Sequence, residues 1–293
     1  MKRDLKVIIM LVAVITSLAF AGIAVSASGL YIDNNCLKVS TGGYTFIKET
    51  NIGVVTSIRI DVATADVRFI KADKYGFEIR YQEAGAGFNY SLKNGVLVIE
   101  QRNEFKISLL SLLLNRDYVY VYLPENAMLE AADIINCSGT ISIERLSCAK
   151  LFIKQASGCV DISNLKADDA TVKSTSGKVT VIDGAAKYFD FFLTSGSLVA
   201  DGLDSKGLRA ELISGKVDLK GSFTGNTTLY CTTGTVRLCI NGAEKDYNRN
   251  ISVLVGSILV NNKKVGAGNV HYKADNMLDI KTITGNVEII YQK

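Results

Sequence analysis

The sequence is short of the residues that build most catalytic and metal centres. Its 293 residues include one proline, one histidine and no tryptophan. The single histidine, His271, lies in an insertion without a fixed acid partner, so a solvated loop residue is the expected interpretation. A nucleophile elbow, a phosphate loop and a dinucleotide fingerprint are all absent from the sequence. We therefore predict no catalytic residue, no cofactor-binding residue and no metal ligand.

The six cysteines give no metal or redox motif. None of them forms a CxxC pair, so a zinc or redox site is not expected. An even number in an exported protein permits disulfides, but their connectivity does not follow from the spacing. Several fall at inward-facing positions of the repeat described below, where cysteine acts as a small buried apolar side chain. The residues are Cys36, Cys137, Cys148, Cys159, Cys231 and Cys239.

Charge is sparse and scattered. The formal net charge is +4, with 21% charged and 48% hydrophobic residues, a composition that excludes a disordered chain. Lys263-Lys264 is the only basic doublet outside the N-terminus, so nucleic-acid binding is not expected. Glycine is abundant, with 25 residues, and occurs among β-branched residues and short polar turns. This combination predicts an all-β fold.

The N-terminus is predicted to be an export signal. Basic residues precede an apolar stretch, Val7–Ala27, which as a helix would span about 30 Å. The positive flank predicts a cytoplasmic N-terminus. We expect residues 1–30 to be a cytoplasmic stub with a retained single-pass anchor; cleavage after Val25-Ser26-Ala27 and secretion is the alternative. Under either reading residues 33–293 are extracytoplasmic.

A 19-residue repeat dominates the second half of the sequence. Two and four residues after each repeated glycine the side chain is apolar, and a second apolar pair, such as Leu151 and Ile153, lies in mid-repeat. Two alternating strands per repeat make one coil, or rung, and stacked rungs bury a continuous core. We predict a β-solenoid over residues 131–293. The motif Ser/Thr-Gly-x-apolar-x-apolar recurs at Gly139, Gly158, Gly177, Gly196, Gly215 and Gly234.

The Ser/Thr-Gly signature is interpreted as corner chemistry. Glycine supplies a turn conformation that other residues resist. The hydroxyl column before it is one residue wide, so a flat array facing ice or a glycan is the weaker alternative. Asp183-Gly184, Asp201-Gly202 and Asn241-Gly242 are predicted to mark another corner. Toward the C-terminus the period slips, and insertions at 243–250 and 261–275 predict atypical rungs that cap the stack.

Residues 31–130 are predicted to form an N-terminal β region, either a separate domain or irregular first coils. Asn94-Gly95 is expected to turn a hairpin. Tyr118, Tyr120 and Tyr122 alternate with valines, as in a sheet with one packed face; a sugar-stacking strip is the alternative. The apolar stretch Ile107–Leu114 is too short to span a bilayer and is expected to be buried or to contact a membrane surface or partner. Strands are expected at 54–62, 66–71, 77–82, 88–92, 96–101 and 118–123.

These features resemble a known family. The stretch Ser57–Phe69, the strand ending in Leu123-Pro124-Glu125 and the following Ser-Gly-x-Val rungs are similar to the bacterial putative-adhesin family, a domain of unknown function. The resemblance covers residues 50–293. It implies a cell-envelope β-solenoid, common in Gram-positive bacteria behind a single transmembrane helix and linked to adhesion or envelope stress. It carries over no catalytic residues.

The carboxylates offer no convincing catalytic pair. Asp161 and Asp218 share an outward position three rungs apart, about 14 Å, beyond the ~5–9.5 Å that glycoside hydrolysis needs. Asp183 and Asp201 are expected on neighbouring rungs near one corner, but each precedes a glycine and a turn role explains both. Asp168-Asp169 lacks the ligand spacing of a calcium loop.

Three functions remain open. The favoured one is a non-enzymatic, membrane-anchored envelope protein whose β faces bind a cell-wall polymer or a surface protein. The second is a polysaccharide-active β-helix enzyme, which would need an acidic pair, Asp183 and Asp201 or another, in a groove with aromatics such as Tyr188. The third is an envelope-stress accessory that signals through its membrane segment.

Overall fold

A computed structural model describes residues 29–33, 36–40, 43–82, 87–101 and 117–292. Within these ranges the chain is all-β, with one short 3₁₀ helix at Glu244–Asp246. No helix in the described ranges is long and apolar enough to cross a bilayer. The anchor expected at 7–27 and the apolar stretch at 107–114 lie outside the described residues, and both stay predictions.

In the described part of the chain the strands form two sheets. β1 (Gly29–Asp33) and β2 (Cys36–Ser40) pair antiparallel with each other. The remaining fourteen strands form one sheet. They are β3 (Tyr44–Thr50), β4 (Ser57–Ala72), β5 (Gly76–Gln82), β6 (Phe88–Lys93), β7 (Val96–Gln101), β8 (Asp117–Pro124), β9 (Leu129–Ile143), β10 (Leu146–Ser163), β11 (Leu165–Ile182), β12 (Ala185–Asn241), β13 (Tyr247–Val260), β14 (Lys263–Val265), β15 (Gly268–Val270) and β16 (Asn276–Gln292).

The predicted 19-residue period is the pairing register of the parallel strands. Leu151 of β10 pairs with Ala170 of β11, which pairs with Phe189 of β12, and each step is 19 residues. β12 is long enough to run through three successive rungs. Inward side chains therefore stack on their equivalents in neighbouring rungs, and every side chain predicted to face inward is buried.

The Ser/Thr-Gly corner is a place where rungs touch through backbone alone. Gly177 has a φ of +135°, a conformation that side-chain-bearing residues avoid. A β-carbon there would lie 1.9 Å from the carbonyl oxygen of Gly158 in the preceding rung. The signature is therefore structural, as the sequence indicated.

The N-terminal strands close one end of the stack. β4 pairs in parallel with β9 on one side and with both β7 and β8 on the other. β5 and β6 add antiparallel to β8 and β7, and β3 pairs with β5. The Asn94-Gly95 hairpin is confirmed: both residues have positive φ, 51° and 78°, and they join β6 to β7. The predicted 54–62 and 66–71 strands are one continuous strand, β4.

The C-terminal rungs are stacked out of chain order. β16, not β13, pairs with the last rung of β12, so Gly285 lies beside Gly234. β13 then pairs with the outer edge of β16, with Gly256 beside Gly285. The insertion between them supplies β14 and β15, which pair antiparallel with β13 and partly cover its free edge. Edge coverage of this kind limits unwanted strand pairing.

Candidate binding face

The Asp183 and Asp201 carboxylates do not form a site. The two residues meet through backbone, since the Asp183 amide donates to the Asp201 carbonyl oxygen at 2.9 Å. Asp183 is one residue out of register with Asp201: it has a φ of +53°, and its equivalent in the next rung is Gly202. Both side chains are exposed, and Lys220 Nζ lies 3.3 Å from the Asp201 carboxylate. They are corner residues, as the turn interpretation predicted.

The other acidic residues and the histidine considered as site residues lie apart from one another. Asp218 pairs with Lys216 at 2.8 Å, and Asp168 pairs with Lys187 at 2.8 Å. His271 is exposed next to the short strand β15. In the described ranges no group of three or more His, Cys, Asp or Glu side chains is placed to hold a metal ion.

The cysteines whose side chains the structure describes are free thiols. Cys148, Cys231 and Cys239 are buried, whereas Cys137 and Cys159 are exposed. The three buried residues agree with the expectation that several of the cysteines fall at inward-facing positions. Burial raises the pKa of the Cys148 thiol to about 12, which keeps it protonated and unreactive at neutral pH.

The tyrosines of β8 make hydrogen bonds and cation–π contacts with side chains of the neighbouring strand β5. Tyr118 and Tyr122 both donate to the Glu78 carboxylate, at 2.6 and 3.3 Å. The Arg80 guanidinium lies 4.7 Å from the Tyr118 ring centroid and 4.9 Å from that of Tyr44. Burial, with the Glu78 hydrogen bond second, raises the pKa of Tyr118 to about 12. This strip therefore stabilises the N-terminal sheet.

A ladder of alternating aromatic and cationic side chains crosses the outward face of the mid-rung strands. Lys173 Nζ lies 5.8 Å from the Phe152 centroid and 5.3 Å from that of Phe192, and Arg209 Cζ lies 5.4 Å from Phe192. Further along, Lys281 Nζ lies 5.2 Å from the Tyr230 centroid. Cation–π contacts of this kind contribute about 0.5–1 kcal/mol each at exposed sites. We call Phe152, Lys173, Phe192, Arg209, Tyr230 and Lys281 the ladder.

Arg209 is held in place by a neighbouring carboxylate. Its Nε donates to Glu211 Oε1 at 2.8 Å, and a terminal nitrogen of the guanidinium donates to the same oxygen at 2.5 Å. Glu211 raises the pKa of Arg209, first through these hydrogen bonds and then through its charge. Arg209 of the ladder and Glu211 beside it therefore form an ordered pair of opposite charges.

One groove follows the ladder on its corner side. It has a volume of about 520 Å³, and its walls come from two columns of residues spaced by 19. One column contributes Lys154, Lys173, Phe192, Glu211 and Tyr230; the other contributes Thr175, Thr194, Ile213 and Thr232. Five stacked rungs make it roughly 19 Å long. We call it the corner groove.

A second groove, of about 460 Å³, lies on the other side of the ladder. The ring of Tyr188 lies against Gly207 in the next rung, where an added β-carbon would come within 2.7 Å of Tyr188 Cδ1. Tyr188 is nevertheless 58% exposed. We call this the Tyr188 groove; its polar lining is Asp169, Asp190, Lys206, Arg209, Asn226 and Thr228.

The two grooves and the ladder make one continuous face that suits binding better than catalysis. Asp169 and Asp190 do share a groove with Tyr188, as a polysaccharide-active enzyme would require. A general acid for glycoside hydrolysis depends on a desolvated carboxyl, however, and Asp169 is exposed while Asp190 is only half-buried. The arrangement can hold a ligand through stacking and hydrogen bonds.

The sequence patterns indicate Tyr188 only as an example of a groove aromatic and do not reveal the ladder. The ladder residues follow one another at intervals of 21, 19, 17 and 21 residues before the jump to Lys281, because the Phe152–Lys173 and Phe192–Arg209 contacts run diagonally between rungs. A search at a strict 19-residue spacing does not find such a series. Alternating aromatic and cationic residues at 19 ± 2 would have been the usable signal.

Comparison with known proteins places the chain in a family. Residues 55–290 match the family described as Toastrack DUF4097. This match confirms the resemblance to putative adhesins of unknown function noted in the sequence. No curated protein matches the sequence.

Several solved structures are similar to the chain at low identity. A putative adhesin from Bacteroides fragilis is 12% identical, with a TM-score of 0.43 over 85% of this chain and 97% of that one. A putative lipid binding protein from Parabacteroides distasonis is 12% identical, with a TM-score of 0.41 over 86% and 98%. A putative cell adhesion protein from Clostridium sporogenes is 12% identical, with a TM-score of 0.26 over 86% and 100%.

Proposed function

This chain belongs to the Toastrack DUF4097 family, and we propose that it is a non-enzymatic binding protein of the bacterial cell envelope. In this proposal the ladder and its two grooves bind an envelope polymer or a surface protein. The observation that carries the proposal is the continuity of the corner groove across five stacked rungs, from Lys154 to Tyr230. A stack of repeats offers an extended surface and needs no catalytic geometry to use it.

The proposal includes a β-solenoid as the scaffold. A constant 19-residue parallel register and continuous inward columns support a coil that rises one rung per repeat. We further propose that residues 31–130 are irregular first coils and not a separate domain, since β4 pairs directly with β9. One hydrophobic core cluster includes Ile58 near one end and Ile289 near the other.

The proposed location is the outer side of a membrane. The support is the apolar stretch Val7–Ala27 behind basic residues, which predicts a cytoplasmic N-terminus. Protease treatment of intact cells, whose outer envelope layers are shown to admit the protease, should remove the repeat region. Full protection of that region would contradict the orientation.

The binding proposal is tested by co-sedimentation of the full chain, in mild detergent, with isolated cell walls. We expect saturable binding and no release of reducing sugar. The matched variants are Lys173→Glu in the ladder and Lys216→Glu on the second strand of the rung, which lies outside both grooves. Loss of binding in the first variant and not in the second supports the face; equal binding by both contradicts it.

The enzymatic alternative rests on Asp169 and Asp190 lining one groove with Tyr188. It predicts reducing-sugar release from cell walls that disappears in Asp169→Asn and in Asp190→Asn. Release of sugar with this dependence would replace the binding proposal. Release that persists in both variants would indicate a contaminating enzyme and would exclude this pair.

A further inference from the structure

Tyr188 differs from the other aromatic side chains of the face in having no cation against its ring. Phe152, Phe192 and Tyr230 each lie within 6 Å of a ladder cation. Among the described residues, no ring contact, cation–π contact or hydrogen bond occupies Tyr188, although its ring is largely exposed. Three of the four rings therefore already have a cation beside them, whereas the ring of Tyr188 has none.

The local backbone holds the Tyr188 ring against the sheet. Gly207 has no side chain, so one edge of the ring can approach its backbone, and a β-carbon there would meet Cδ1 at 2.7 Å and Cε1 at 3.0 Å. Gly207 itself is buried. The ring therefore meets the sheet by its Cδ1–Cε1 edge, and Tyr188 stays 58% exposed, so its faces are open to a ligand in the groove. An aromatic ring fixed in this manner is a stacking platform for a flat, partly apolar ligand.

Polar side chains line the groove around the Tyr188 ring. Asp169 and Asp190 supply acceptors, Lys206 and Arg209 supply donors, and Asn226 supplies both. Sugar hydroxyls donate and accept at once, which matches this mixture. A protein hot spot would instead place apolar neighbours around the aromatic anchor.

The charges around the ring favour a neutral ligand. Two carboxylates, Asp169 and Asp190, face two cations, Lys206 and Arg209, and one of those cations is already bonded to Glu211. A polyanion would meet the two carboxylates without a surplus of positive charge to offset them. The groove volume of about 460 Å³ lies in the range of small-ligand sites.

We propose that Tyr188 is the stacking platform of a neutral glycan subsite, with Asp169, Asp190 and Asn226 as hydrogen-bonding residues at its rim. This inference rests on the proposed function and names the ligand class of the same face. The ligand is a chain of uncharged pyranose rings, one of which stacks on Tyr188 while its neighbours lie along the groove.

The test is isothermal titration of the full chain in mild detergent with defined oligosaccharides. The neutral probes are the β-1,4-linked tetramers of N-acetylglucosamine and of glucose, and the anionic probe is polygalacturonate. We expect a neutral tetramer to bind saturably and Tyr188→Ala to weaken it about tenfold. Tyr272→Ala, at an exposed tyrosine outside both grooves, is the matched control and should bind as the wild type.

Gly207→Ala keeps the tyrosine and moves its ring. The backbone of Gly207 is not in the positive-φ region, and the atoms that a β-carbon would displace belong to the far part of a side chain. We expect the variant to fold, with an unchanged thermal midpoint, and to bind the neutral tetramer more weakly. It therefore separates ring position from simple loss of the side chain.

The possible results distinguish failure of the Tyr188 glycan subsite from failure of the proposed function. Wild-type affinity in Tyr188→Ala and Gly207→Ala would overturn the platform. Binding of polygalacturonate and of neither neutral tetramer would overturn the proposed ligand class. Binding of cell walls and of neither neutral tetramer would overturn it too. In these cases saturable wall binding would leave the proposed function standing; absence of binding to walls as well would reject both.

Discussion

The carbonyl oxygen of Gly196 lies only 1.8 Å from the place that a β-carbon on Gly215 would occupy. Gly215 also has a φ of +139°, so both its conformation and its contact exclude a side chain. We expect Gly215→Ala to lower the free energy of unfolding by about 3 kcal/mol or more. Chemical denaturation measures this.

Gly266→Ala is the matched control for that substitution. A β-carbon at Gly266 would have no atom within 4 Å, so its stability should stay within about 0.5 kcal/mol of the wild type. Equal effects of the two substitutions would show that the corner is not a backbone contact.

The inward columns should dominate stability. Phe191 is 0% exposed and stacks with Phe189, their ring centroids 5.6 Å apart. Phe191→Ala removes a large buried ring and should cost about 3–5 kcal/mol. Phe46 is 62% exposed, and Phe46→Ala should change the unfolding free energy little. Thermal unfolding of both variants checks the contrast, and similar midpoints would contradict the assignment of the core.

Asp117 is expected to make stability depend on pH. Burial raises the pKa of its carboxyl from 3.8 to about 6, although the Gln82 backbone amide donates to it at 3.1 Å. Because the folded state binds this proton more tightly, its contribution is full below pH 3.8 and is lost as pH rises through about 6. The loss amounts to at most about 3 kcal/mol.

The measurement is the unfolding free energy of the wild type and of Asp117→Asn between pH 4 and pH 7. The amide does not titrate, so the wild type should lose stability relative to the variant as pH rises through this window. A constant difference between the two proteins would show that Asp117 is not held protonated by the fold.

The inserted strand β16 should control the C-terminal end of the stack. Val287 is 0% exposed and pairs with Val236 of β12 on one side and with Ile258 of β13 on the other. Val287→Asp should release β16 and leave two strand edges without partners, which favours aggregation. Limited proteolysis should then cut in the 261–275 insertion. Size-exclusion chromatography should show larger species.

Ile283→Asp is the control within the same strand, since Ile283 is 52% exposed. This variant should stay protease-resistant and keep the elution volume of the wild type. Cleavage of both variants at the same rate would indicate that β16 is not integral to the stack.

The sequence predicted the parts of the fold that depend on alternation and on turns. Inward residues such as Val179 and Phe191 repeat every 19 positions, and Asn94-Gly95 can adopt the positive φ angles that a two-residue hairpin needs. The stacking order of the C-terminal rungs could not be predicted from the sequence, because β13 and β16 carry the same corner glycine and similar inward residues. Either strand could pair with β12 on local pattern alone.

The candidate face was harder to predict than the core. Periodicity predicts which side chains point outward, but contacts such as Phe152 with Lys173 and Phe192 with Arg209 join diagonal neighbours in adjacent rungs. The tyrosines of β8 looked more like a ligand platform than Tyr188 did. Their pairing with Glu78 and Arg80 comes from β5, which the β8 sequence does not show.

The most direct test of the account is a lysine-modification footprint of the full chain, free and bound to cell walls, read by mass spectrometry. Wall binding should protect Lys154, Lys173 and Lys206, which line the two grooves, from modification. Lys178 and Lys216, on the second strand of the rung, should react equally in both states. Protection of Lys178 and Lys216 with unchanged reaction at the groove lysines would contradict the account.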